Sequence, residues 1–216
     1  MTLTPRFEQA LSYTCIVHAG HLRKGTSIPY VAHLLSVASL ALEHGADEDT
    51  AIAALLHDAV EDAGGKDRAA DIRVRFGDRV VEIVLGSTDT DVIPKPPWQQ
   101  RKEAYIQHLA DASPETLLVS CCDKLHNSRS IVSDLRSIGD DLWTRFKGGK
   151  DGTLWYYRTL VKAFRERNAP VGVVDELDRV VSLMEEMARD DYLNRGKCQT
   201  NQGAQRVTDR DQIAID

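Results

Sequence analysis

What this 216-residue chain lacks narrows it quickly. No apolar run approaches the roughly 20 residues that a membrane-spanning helix needs, so no membrane partner is expected. The N-terminus, MTLTPRFEQALSY, has no charged segment followed by an apolar stretch and shows no sign of a secretory signal. Cysteine is sparse: Cys15, Cys121, Cys122 and Cys198, with no C-x-x-C pair and no disulfide-scaffold spacing. That fits a reducing cytoplasm, with Cys121 and Cys122 as small core residues rather than ligands. Positive charge is in deficit too. Lys and Arg number 27 against 33 Asp and Glu, a net charge of -6. A mildly acidic chain is not a general binder of nucleic acid, because phosphate backbones reward an excess of Lys and Arg. Alternating β-branched residues are also scarce, there is no convincing strand, and no internal repeat is present.

What is there reads as helix. Apolar residues make up 42% of the chain, enough for one core, and charged residues 28%, enough for a soluble surface. Thr4-Pro5 has the form of an N-cap followed by proline at the first helical position, and apolar positions then recur through Phe7, Leu11 and Cys15. GHLRKGTSIPY reads as a loop. Further helices are expected from about 32 to 44, from 47 to 62, and at 67–76 and 78–86 on either side of Gly77. STDTDVIPKPPWQQ is a loop, since its three prolines forbid regular structure. Helices follow at about 98–111 and 114–137. After the glycine-rich FKGGKDGT come two more, near 153–167 and 173–191. The expected architecture is all-α: a single domain over residues 1–193, and a polar, disordered tail over 194–216 that has little to bury.

Three segments place ionisable groups where a core is expected. In AALLHDAVEDAGG, His57 and Asp58 are followed by Glu61 and Asp62 among alanines, leucines and Val60. In PYVAHLLSVASLAL, His33 opens a strongly apolar helix. In LLVSCCDKLHNSRS, Asp123 follows Leu117, Leu118, Val119 and two cysteines, with Asn127 one turn on. Buried charges are costly unless paired or bound to metal. Two imidazoles and two carboxylates, from His33, His57, Asp58 and Asp123, suit a five- or six-coordinate ion such as manganese or iron better than a closed structural zinc site. Glu61 and Asp62 fall within a turn of that group, where a carboxylate can orient or deprotonate water. Arg23 and Lys24 precede the loop to His33, which should place them at the mouth of the site, where arginine can grip phosphate.

Taken together, AGHLRKGTSIPYVAHLLSVA, LLHDAVEDAG and CDKLHNSRS resemble the HD-domain hydrolase of the RelA/SpoT-type family, in its order and at similar separations, from about Phe7 to the WYY segment at 155–157. The resemblance implies an HD-domain helical bundle and removal of the 3′-pyrophosphate of ppGpp and pppGpp, leaving GDP or GTP. It implies that His33, His57, Asp58 and Asp123 bind manganese and that Glu61 and Asp62 activate the water. It also implies that Arg23, Lys24 and Asn127 contact the nucleotide. His126 is expected in a packing or supporting role, and the other histidines carry no functional expectation. Long members of the family continue into a synthetase domain; this chain resembles the stand-alone small alarmone hydrolases. A homo-oligomer and functional pairing with an alarmone synthetase are left open. Two rival readings stand beside it: a phosphohydrolase for another nucleotide, such as an adenine alarmone or the 2′-phosphate of NADPH, and a non-catalytic nucleotide sensor.

Overall fold

The computed structural model describes residues 2–89 and 96–189. Among them the chain forms helices α1 (Pro5–Val17), α2 (Val31–Glu43), α3 (Glu48–Leu56), α4 (Ala59–Asp62), α5 (Gly65–Phe76), α6 (Asp78–Ser87), α7 (Trp98–His108), α8 (Pro114–Ile138), α9 (Gly149–Glu166) and α10 (Val171–Met187). Short 3₁₀ turns at Leu109–Asp111 and Gly139–Arg145 flank α8. One antiparallel bridge, Leu22 to Pro29, is the only extended pairing among the described residues. The all-α expectation is met. The expected tail at 194–216, and residues 90–95 of the proline-rich loop, lie outside the described residues.

The longest helix, α8, is the spine. Ser113 caps its start by accepting from the Thr116 amide at 3.1 Å, and Pro114 occupies its first turn. Over its 25 residues it packs against α2, α3, α6 and α10. The other central element is α3, in which every residue from Ala51 to Leu56 is fully buried. A helix apolar all round must be surrounded, and α1, α2, α6 and α8 surround it. Three alanines on α3 allow those neighbours to come close. At the edge, α9 and α10 are tied by Arg158, which donates to Glu185 and Asp178.

Two local expectations need correction. The helix expected to run unbroken from 47 to 62 ends at Leu56, bends through His57 and Asp58, and resumes as α4. Asp58 sits at φ -95°, ψ -5°, at the margin of helical geometry. On a regular helix consecutive side chains diverge by about 100°; the bend brings those of His57 and Asp58 together. Just beyond α4, Gly64 has φ +128°, a conformation that only glycine adopts without strain, and it turns the chain into α5. The second correction concerns FKGGKDGT. Helix α9 starts inside it, at Gly149, and two of its glycines serve packing: a Cβ on Gly148 or Gly152 would lie 2.6 or 3.1 Å from the Trp98 ring.

Candidate metal centre

The four sequence-predicted ligands come from three structural elements. His33 lies in the first turn of α2, His57 and Asp58 in the bend between α3 and α4, and Asp123 at the end of the continuous buried run of α8 that begins at Thr116. Their donor atoms converge. His33 Nε2 is 3.5 Å from Asp58 Oδ2 and 3.2 Å from Asp123 Oδ1. His57 Nε2 is 3.1 Å from Asp58 Oδ2 and 3.6 Å from Asp123 Oδ1. His33 and His57 are 1% and 2% exposed, yet neither Nε2 has an aligned hydrogen-bond partner among the described residues. Buried polar atoms are rarely left so. Donors bonded at about 2.1 Å and at right angles to one ion stand about 3 Å apart. The separations and the donor chemistry therefore fit a single divalent cation, and His33, His57 and Asp58 group within ligand distance of one another.

Supporting contacts fix the orientation of each donor. His57 Nδ1 lies 2.8 Å from the Ala54 carbonyl, so Nδ1 carries a proton and Nε2 is the nitrogen turned toward the carboxylates; burial would discharge the ring, but Asp58 and Asp123 outweigh it and raise its pKa. His33 Nδ1 lies 2.8 Å from His126 Nδ1, so His126 supports the imidazole from behind. The Tyr30 hydroxyl donates to Asp58 Oδ2 at 2.7 Å. Asp123 is held at both oxygens: Asn127 Nδ2 donates to Oδ1 and Lys124 Nζ to Oδ2, each at 2.5 Å. Burial opposes ionisation of Asp58 and Asp123. The neighbouring His57 overrides that cost at Asp58, and Lys124 and the two histidines override it at Asp123, so both carboxyls stay well below the usual range. Burial would likewise discharge Lys124, but Asp123 outweighs it and keeps the ammonium form.

Beside this cluster, Arg23 Nη2 donates to Asn127 Oδ1 at 2.6 Å, and the guanidinium lies over the Tyr30 ring at 5.6 Å. The expected loop is a closed hairpin: Arg23 N donates to the Ile28 carbonyl and Tyr30 N to the His21 carbonyl, each at 2.8 Å. Lys24 is exposed on the same hairpin. Glu61 Oε2 accepts from the Asp89 amide at 3.3 Å, and Asp89 is itself gripped by Arg101 and by Lys102. Asp62 is exposed on α4. The structure thus gathers the four candidate ligands, Arg23 and Asn127 into one place, with Glu61 and Asp62 on the helix that leaves the bend.

Sequence reasoning missed Tyr30, Lys124 and Asp89. The first two stand inside the segments that drew attention, PYVAH and CDKLHN, and a lysine behind two buried cysteines was a usable signal. His18 is buried and stacks on Tyr30 at 5.4 Å; burial lowers it to about 4, so it is neutral. Cys121 and Cys122 are core residues as expected, and burial pushes the Cys122 thiol up to about 12.

The family model described as HD domain matches residues 10–154. Among curated proteins, the chain is 30% identical over 183 residues to the guanosine-3′,5′-bis(diphosphate) 3′-pyrophosphohydrolase MESH1 of Drosophila melanogaster, covering 83% of this chain and 96% of that protein. It is 35% identical over 126 residues to the MESH1 of Xenopus tropicalis, covering 57% of this chain and 68% of that one. A solved structure, described as a metazoan ortholog of SpoT that hydrolyzes ppGpp and plays a role in starvation responses, superposes with a TM-score of 0.69. It is 27% identical, and the match covers 83% of this chain and 96% of that one.

Proposed function

The chain belongs to the HD domain family, and from that premise we propose that it is a manganese-dependent 3′-pyrophosphohydrolase of ppGpp and pppGpp. Two findings support the reading. One is the likeness to MESH1 proteins along most of the chain. The other, which carries it, is the pair of buried imidazole nitrogens turned toward two carboxylate oxygens at 3.1–3.6 Å. In this reading His33, His57, Asp58 and Asp123 hold the ion, which when bound polarises a phosphoryl oxygen and lowers the pKa of water.

The chain's own residues do the rest. Asn127 holds Arg23 beside Asp123, and the remaining guanidinium donors grip the nucleotide's phosphate or face its base. Lys24, on the same hairpin, adds a second positive charge for a strongly anionic substrate. Glu61, steadied by the Asp89 amide, and Asp62 orient the water and accept its proton. Water oxygen attacks the phosphorus bonded to the ribose 3′-oxygen. The P–O3′ bond breaks and the proton is returned to O3′. GDP or GTP and pyrophosphate are the products. Positioning and electrostatics supply most of the acceleration. The reading takes residues 1–193 as the catalytic domain, in a cytoplasmic setting.

The test is a substrate panel with purified protein and manganese, beside a chelated control: ppGpp, pppGpp, an adenine alarmone and NADPH. Pyrophosphate together with GDP or GTP is expected from the first two. Inorganic phosphate from NADPH alone would move the assignment to another nucleotide, and binding without turnover would favour a sensor.

A further inference from the structure

Lys124 has no part in the chemistry described above, yet it is the one lysine or arginine paired with a candidate ligand among the described residues. Its ammonium meets Asp123 Oδ2 at 2.5 Å, and its side chain is 13% exposed. The Tyr105 ring lies 5.0 Å from Nζ, and Tyr105 is itself buried. The lysine is therefore held in place rather than tethered loosely at the surface. Its position is odd for a metal site. A positive charge set against a ligand carboxylate weakens the site's hold on a dication, because like charges repel most where water is excluded. The contact also divides the labour of the carboxylate. Oδ2 meets the charged Lys124, while Oδ1, which also accepts from the neutral Asn127 amide, faces His33 Nε2 at 3.2 Å and His57 Nε2 at 3.6 Å.

Resting on the reading of the cluster as a metal centre, we propose that Lys124 is a positioning residue that trades metal affinity for turnover by restricting Asp123 to a single donor oxygen. With Oδ2 withheld, Asp123 occupies one coordination position, and positions remain for water and substrate, as a catalytic rather than a structural site requires. With Oδ2 released, Asp123 can offer both oxygens, as carboxylates do where ligand number is not constrained. The ion is then held harder and fewer positions are open to reactants. A lysine that served packing alone would show the opposite sign: its loss would loosen the site and weaken metal binding.

The experiment titrates the metal-free full chain with manganese by calorimetry at pH 8, for wild type, K124M and K124R. It adds thermal melts with and without the ion, and kcat with ppGpp. K124M is expected to bind manganese about tenfold or more tightly, since one nearby positive charge is gone. Its metal-free form should melt below wild type, because a buried carboxylate oxygen loses its partner, and manganese should raise its melting temperature by more than it does in wild type. Its kcat should fall tenfold or more. K124R, which keeps the charge, should return affinity toward the wild-type value. Should K124M fail to fold, K124Q keeps a donor to Oδ2 without the charge and carries the same expectation for affinity. Unchanged or weaker manganese binding by the neutral variant overturns the proposal. Absence of manganese binding by wild type is a different failure, that of the metal-centre reading itself.

Discussion

The two ends of α3 carry similar numbers of ionisable groups and do opposite things with them. At its start, Asp47, Glu48 and Asp49 meet arginines. Arg79 pairs with Asp47, Asp49 and Glu115, and Arg6 pairs with Glu48 and Asp49. The two arginines and Asp47 are 42–50% exposed at the side chain, so water and salt screen this network. Asp47 also caps the helix, accepting from the Thr50 amide at 2.9 Å. At the other end, His57 and Asp58 meet a second histidine and a second carboxylate in a largely buried setting, and among the described residues one lysine is the only ammonium in contact with those four. The first cluster neutralises itself and holds helices together. In the proposed reading the second is completed by a dication. Charge density along the chain does not tell these apart; burial and the convergence of donor atoms do.

The contrast can be broken most severely at the buried end. Asp58→Asn or Asp123→Asn should abolish metal-dependent pyrophosphate release, and calorimetry should find no manganese bound at the wild-type stoichiometry. Manganese at 100 times its dissociation constant should stabilise wild type by about 2.7 kcal/mol, and neither variant, as differential scanning calorimetry would show. Glu61→Gln separates binding from chemistry: kcat should drop by about 10²–10⁴ with manganese affinity unchanged. His126→Ala removes the support behind His33 and should cost about 10–100-fold in metal affinity or activity; full retention of both would remove it from the supporting shell.

Effects at the exposed end are small and of another kind. Arg79→Ala should lower stability by no more than about 1 kcal/mol, lose part of that effect in high salt, and leave kcat untouched, which chemical denaturation and a turnover assay check together. The pH dependence is smaller still. Slight burial opposes ionisation of Asp47, but hydrogen bonds from Thr50 and Arg79 outweigh it and hold the carboxyl below the usual range. A depressed folded-state pKa means that its contribution is fully present above the unfolded value, about 3.9, and is lost as pH falls through the lower, folded value. Asp47→Asn should therefore flatten part of the acid limb of the stability curve, measured by urea melts below pH 5, and change nothing at pH 7 beyond a constant offset.

How much of this was legible in the residues differs by element. Helix α8 could be read from Ser113-Pro114, its apolar spacing and Gly139, because caps and periodicity are local. The candidate ligands could be picked out because His33, His57, Asp58 and Asp123 interrupt apolar runs, and the structure brings them together. The bend at His57 and Asp58 could not. Nothing local separates Leu56 from His57; the break coincides with the place where donors from α2 and α8 converge, which is a tertiary arrangement. The start of α9 was misjudged for the same reason, since Gly148 and Gly152 answer to Trp98, some fifty residues away. The link from Lys124 through Asp123 to the two histidines spans α2, the bend and α8, and only the packed structure displays it.

The most direct test of the account is a single titration. Manganese is added stepwise to chelator-treated protein, and bound ion and pyrophosphate release from ppGpp are followed in the same sample. The account predicts no release at zero metal, then release that rises in proportion to bound ion and saturates at one ion per chain. Full release from the chelated protein, or release that saturates while Asp58→Asn does the same, would contradict it.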